Sequence, residues 1–123
     1  MIHIVSLIDR RRRKGEHLRV GAVRYPPRGK RKEEIDEYDV RLPELAPSSE
    51  LLKKFNDDAI SWERFVGRYR SEMNKPERKY LIPLFAALSK VTNLSIGCYC
   101  QDQTRCHMSV LRELLDDAGA DLA

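Results

Sequence analysis

The sequence predicts an α/β fold: a single domain over residues 1–123, built as a small, mostly parallel sheet flanked by helices. Three observations lead there. The chain has 123 residues, close to the commonest domain size, which is enough to bury a core without staples. Short β-branched apolar segments occur early and late, at "IHIVSLI" and "NLSIGCYC". Between and after them lie segments whose apolar residues recur at helical spacing. A strand, a helical excursion, another strand and a closing helix describe helices packed on a sheet.

Taken in order, Ile2 to Ile8 reads as a buried strand. Leu18 to Tyr25 reads as a second, since Leu18, Val20 and Ala22 alternate with Arg19, Gly21 and Val23. The link "DRRRRKGEH" has nine residues, fewer than the dozen or so that a crossover between parallel neighbours takes. These two strands are therefore expected to pair antiparallel or not to pair directly. Pro26, Pro27 and Gly29 make "PPRGKRK" a loop. In "PSSELLKKF", Ser48 or Ser49 offers an N-cap with Leu51, Leu52 and Phe55 behind it. Ser61 caps the next helix, where Trp62, Phe65, Val66, Tyr69 and Met73 fall on one stripe. A third helix is expected from Pro76 to Lys90, with a kink or a late start at Pro83. "NLSIGCYC" is apolar enough for a strand covered on both faces, and "QDQTR" reads as a polar turn. Val110, Leu111, Leu114 and Leu115 mark a closing helix, with Gly119 at its C-cap.

Composition narrows the function classes. No apolar run approaches the roughly 20 residues of a membrane span, so no membrane partner is expected. The first charges follow the first apolar stretch, the reverse of a secretory signal, and the cytoplasm is the expected location. Three cysteines cannot all pair, and Cys98 and Cys100 are too close to bridge each other, so reduced thiols are expected. The net charge of +4 hides an asymmetry. Arg10 to Lys32 holds eleven of the 23 basic residues and one acid, Glu16, a local +10 against −6 elsewhere. Such polarity implies an electropositive face for an anionic small molecule or a nucleic acid, or else a solvated loop. Oligomeric state stays open.

"CYCQDQTRCH", residues 98–107, holds every cysteine and one of the three histidines. Alternation puts Cys98 and Cys100 on one face of a strand and Tyr99 on the other. An N-cap at Thr104 would place Arg105, Cys106 and His107 in a first helical turn, among free backbone N–H groups and the positive end of the dipole. That region, beyond the carboxyl end of a strand, is where α/β sheets bind ligands. The spacing C-x-C-x5-C-H is not a pair of zinc knuckles, and neighbours at a helix start point apart. No metal and no cofactor is therefore expected. Cys106 beside Arg105 and His107 has the surroundings of an activated thiolate. Cys98 and Cys100 do not open a cysteine-phosphatase loop, because Cys-x5-Arg would then need arginine where Thr104 and Cys106 stand. The alternative is that Cys98 and Cys100 are core packing and the others decorate a helix start.

Several of these stretches together resemble the bacterial and archaeal family catalogued as domain of unknown function 488. The likeness rests on Pro27-Arg28-Gly29, Ala46-Pro47-Ser48, the helix carrying Trp62, Phe65, Arg68 and Tyr69, and "CYCQDQTRCHMSVL", with Asp102, Cys106 and His107 in place. It runs from about Arg24 to Leu115 and implies the fold and the position of a site rather than a reaction. Met108 stands where the family often has arginine; if that arginine binds an anion, the resemblance implies either a lost ligand or a role moved to Arg105.

Two readings follow. In the first, Cys106 is the nucleophile or redox thiol of a small enzyme acting on a phosphate-, nucleotide- or sulfur-containing anion. His107 is its base or polariser, Cys100 and Asp102 share the catalytic site, and Arg24, Arg28 and Arg105 form the oxyanion clamp. Tyr25 and Tyr99 offer stacking faces for a base. Cys106 is then expected to be acidic and reachable by solvent. In the second, the Arg10–Lys32 segment binds nucleic acid or regulates, and the cysteines are structural.

Overall fold

The computed structural model describes residues 1–100 and 105–123. Strands β1 (Ile2–Ser6), β2 (Leu18–Gly21), β3 (Val40–Arg41) and β4 (Leu94–Cys98) form one parallel sheet in the order β1-β4-β2-β3. The last strand of the sequence thus lies between the first two. It pairs with β1 from Ile2–Leu94 to Ser6–Cys98, and with β2 from Leu18–Leu94 to Gly21–Gly97. So β1 and β2 do not pair directly, as the short link implied, and they are not antiparallel. Nine residues reach about 30 Å when extended. That covers the roughly 10 Å across an intervening strand and about 17 Å back along it. β3 has only two residues, too few to show an alternating pattern in the sequence.

Helices α1 (Ser49–Asn56), α2 (Trp62–Met73), α3 (Leu81–Leu88) and α4 (His107–Asp117) complete the fold. Ser48 caps α1, its Oγ accepting the Leu51 N–H at 3.2 Å, and Ser61 caps α2 by accepting from Arg64 at 3.2 Å. The third helix takes the late start, with Pro83 in its first turn, where an N–H has no helical partner to lose. After α4, Gly119 lies one place beyond the cap Ala118 with φ of +83°. Its N–H reaches Asp116 O at 2.9 Å and that of Ala120 reaches Leu115 O at 3.0 Å. Among the described residues no helix is long and apolar enough to cross a membrane.

The two faces of the sheet differ because each strand alternates. Ile2, Val20, Leu94, Ile96 and Cys98 share a core with Phe65, Tyr69 and Met73 of α2, Phe85 of α3, and Met108, Leu111 and Leu115 of α4. The other face carries Arg19 and Ser95, both buried. The Arg19 guanidinium donates to Asp9 O and Arg11 O, each at 2.8 Å, and pairs with the Glu16 carboxylate at 3.2 Å. Ser95 donates its hydroxyl to the same carboxylate. This polar clamp holds the arginine-rich link against the sheet. Nearby the Tyr38 ring lies over Gly21, where a Cβ would come within 2.8 Å of it.

Candidate functional site

β4 delivers Cys98 to the core face at its carboxyl end, 1% exposed. Cys100 follows two residues later and is half-buried. Across from them, Cys106 is the N-cap of α4, with extended φ and ψ of −121° and 146°, and His107 is the first helical residue. The sulfurs of Cys98, Cys100 and Cys106 and a ring nitrogen of His107 all lie within 4.8 Å of one another. Neighbours at a helix start do not diverge here, because Cys106 is not itself helical. Its Sγ lies 3.8 Å from His107 Nδ1 and 3.0 Å from Cys98 Sγ. The Cys100 N–H donates to Cys98 Sγ at 3.4 Å. None of the three cysteines is in a disulfide.

The imidazole is fixed from two sides. His107 Nε2 lies 2.8 Å from Ala22 O, just past the end of β2. A carbonyl only accepts, so Nε2 carries the hydrogen and Nδ1 is the nitrogen turned to Cys106. Tyr69 of α2 packs against the ring, the two centroids 5.8 Å apart at 79°. Tyr69 is held in turn by donating to Leu45 O at 2.6 Å.

These contacts single out one sulfur. Hydrogen bonds from Cys100 and Cys98 hold the Cys106 thiol far below its ordinary value, with help from His107, against the opposing effect of burial. The same bonding to Cys100 and Cys106, with burial added, pushes Cys98 far upward. The contacts therefore favour the thiolate at Cys106 and the protonated thiol at Cys98. At 2% exposure Cys106 is not openly reachable, contrary to expectation.

Residues 2–119 match the family model DUF488-N3a, described as the Active DUF488-N3 subclade. The chain belongs to the DUF488 family. No curated protein and no solved structure matches it. In this DUF488 protein Met108, where the resemblance leads one to expect arginine, is fully buried in the core. Side-chain volume, not charge, is what that position supplies.

The remaining predicted site residues are scattered in role. Arg24 of this DUF488 chain donates to Pro47 O at 3.0 Å and Ala46 O at 3.2 Å. Arg78, which sequence reasoning missed, reaches the same Ala46 O at 3.0 Å. Burial and then the Arg78 charge lower the Arg24 pKa. Arg28 and Arg105 are exposed, the latter adjoining Cys106 in the chain. Asp102 and Thr104 lie outside the described residues. Tyr99 lies just past the end of β4, which stops at Cys98, so the expected strand does not reach it. Its hydroxyl is buried with no hydrogen-bond partner among the described residues, and burial, followed by Glu37 and Tyr38, pushes it up to about 12.

Several cations of the basic segment are paired with acids at the surface. Arg12 grips Asp39 with two bonds of 2.9 Å, Arg11 pairs with Asp9 at 3.1 Å, and Lys30 meets Glu37 at 2.5 Å. The acids lie just outside the run, so residues 9–39 hold eleven basic against seven acidic side chains. An open cavity of about 630 Å³ lies between β1 and this segment, lined by Ser6, Arg11, Arg12 and Arg13 among others. Arg11 and Arg12 are already paired there, with Asp9 and Asp39.

Proposed function

We propose that this DUF488 protein is a thiolate-dependent enzyme acting on a phosphate-, nucleotide- or sulfur-containing anion, with Cys106 as its nucleophile. One observation carries the reading. The Cys106 sulfur sits at the start of α4, between Cys98 Sγ at 3.0 Å and a His107 Nδ1 at 3.8 Å whose ring is anchored through Ala22 O. In the resting thiolate the Cys106 proton already sits on His107 Nδ1, and the sulfur bonds to the electrophilic atom of the substrate. The leaving group departs with its electron pair and recovers the proton from Nδ1. Cys98 donates to the resting thiolate, and the N-terminal dipole of α4 favours its negative charge. Arg105, exposed beside Cys106, is the cation best placed in sequence to meet an anion, with Arg28 as a further candidate, and Asp102 remains a candidate for the catalytic site. Arg24 acts as a brace, since its guanidinium is bonded to Ala46 O and Pro47 O. Cys100 is the least buried member of the cluster, and access to Cys106 is expected from its side.

The test is iodoacetamide alkylation of reduced native protein over a pH series, read cysteine by cysteine by peptide mass spectrometry. Cys106 should titrate well below the ordinary thiol value of about 8.5. A panel of phosphorylated and thiol-bearing anions should then give turnover that Cys106→Ser abolishes while the fold persists. Inert or ordinarily titrating cysteines would remove this reading.

A further inference from the structure

We infer that Cys98, Cys100, Cys106 and His107 also form a tetrahedral site for one zinc ion, with three thiolate sulfurs and His107 Nδ1 as ligands. The inference does not rest on Cys106 attacking a substrate. It rests first on distances. Zinc–sulfur bonds of about 2.3 Å and zinc–nitrogen bonds of about 2.0–2.1 Å give tetrahedral edges of about 3.8 Å between sulfurs and about 3.6 Å from sulfur to nitrogen. The four donor atoms are already within 4.8 Å of one another, and Cys106 Sγ stands 3.8 Å from Nδ1. The 3.0 Å between Cys98 Sγ and Cys106 Sγ is the edge that must widen, by about 0.8 Å, which small side-chain rotations supply.

The surroundings are those of a closed metal centre. A ligating histidine ordinarily donates its second ring nitrogen to a carbonyl or carboxylate, and His107 Nε2 does so to Ala22 O at 2.8 Å. The Cys100 N–H already donates to Cys98 Sγ at 3.4 Å, as backbone N–H groups do to bound thiolates. Three thiolates around a divalent ion leave one net negative charge, and the start of α4 faces it with its positive end. Cys98, Cys106 and His107 are 1%, 2% and 6% exposed, so water is largely shut out from around the ion. Sulfur and imidazole donors favour zinc over magnesium or calcium. A loaded site has its three sulfurs and Nδ1 all engaged, so metal binding and attack through Cys106 exclude each other.

Cobalt is the probe. Metal-free, reduced full-length protein titrated with Co²⁺ should take up one equivalent, with the intense visible absorption of tetrahedral cobalt and the near-ultraviolet charge transfer of thiolate ligation. One equivalent of Zn²⁺ should displace it. Cys100→Ser, at the least buried ligand, should keep the circular dichroism spectrum and weaken zinc binding beyond the roughly 10- to 100-fold typical of outer-sphere changes. Weak absorption of octahedral type, no saturation at one equivalent, or unchanged affinity in Cys100→Ser would overturn the site. Cys106 alkylation, followed in parallel, separates the two proposals. An acidic Cys106 without cobalt uptake removes the metal and leaves the thiolate. Cobalt uptake with an inert metal-free Cys106 does the reverse. Zinc that binds without suppressing alkylation overturns Cys106 as a ligand.

Discussion

Glu16→Gln tests whether the arginine-rich link is part of the folded structure. Glu16 and Arg19 pair at 3.2 Å with both side chains 2% exposed, and Asp9 O and Arg11 O accept the other guanidinium hydrogens at 2.8 Å. Glutamine keeps the size and one acceptor oxygen but removes the anion. Breaking a buried pair costs about 3–5 kcal/mol, because the remaining charge is left uncompensated. The two carbonyls stay in place, which puts the loss near the lower end, about 3 kcal/mol. With about 2.1 cal/mol/K of unfolding entropy per residue over 123 residues, Tm falls by roughly 12 °C. The assay is reversible urea unfolding followed by far-ultraviolet circular dichroism, with the slope checked for constancy. The double variant Glu16→Gln, Arg19→Met should recover much of the loss, since it withdraws the charge together with its partner. A loss below about 1 kcal/mol, or a double variant no better than the single, would refute the claim that the buried charge of Arg19 is what requires Glu16.

Two glycines should respond in opposite directions. At Gly97 an added Cβ meets Val5 O at 2.5 Å, so Gly97→Ala should cost at least about 3 kcal/mol. Gly67 lies on the exposed side of α2 with nothing within 4 Å, and Gly67→Ala should stabilise by about 0.5–1 kcal/mol. Thermal melts check both, and like signs would refute the packing read at the β1–β4 pair. Tyr69→Phe should cost about 1–2 kcal/mol by stranding Leu45 O, yet leave Cys106 alkylation unchanged, because the ring against His107 remains. Acid should weaken the fold in a defined direction. Burial raises the Glu16 and Glu37 pKa values, but hydrogen bonds from Ser95 and Arg19 at the first and from Lys30 at the second outweigh it and leave both lowered. Their stabilisation is therefore complete above the ordinary glutamate range and is lost as pH falls through the lowered values. Urea midpoints measured from neutral to acid pH should drop in that window, and less steeply in Glu16→Gln.

What was legible in the sequence was local. Ser48 and Ser61 read as caps and act as caps, because an N-cap bond spans only three residues. The stripe of Phe65, Tyr69 and Met73 read as a buried face for the same reason. Strand order was not legible, since the placement of β4 between β1 and β2 is decided by pairing across most of the chain. At the site, the spacing of the cysteines marked the place but hid the geometry. The extended backbone at Cys106 turns two sequence neighbours toward one point. Ala22, which anchors the imidazole, does so through a carbonyl that every residue possesses. Arg24 was expected to clamp an anion and instead bonds two backbone oxygens, a choice that a long guanidinium makes in three dimensions.

The central position of β4 also bears on how the chain is made. During synthesis β1 and β2 emerge some 70 residues before Leu94–Cys98, and each leaves open the edge that β4 will later fill. Such open edges invite pairing with other chains, and closing so distant a contact is slow. Until β4 arrives, those edges are a pairing hazard that the late segment removes. The strand that closes the sheet also brings in Cys98, and α4 follows directly with Cys106 and His107. A thiolate of this kind would exist only in finished molecules, so an unfinished chain carries no activated sulfur to react astray.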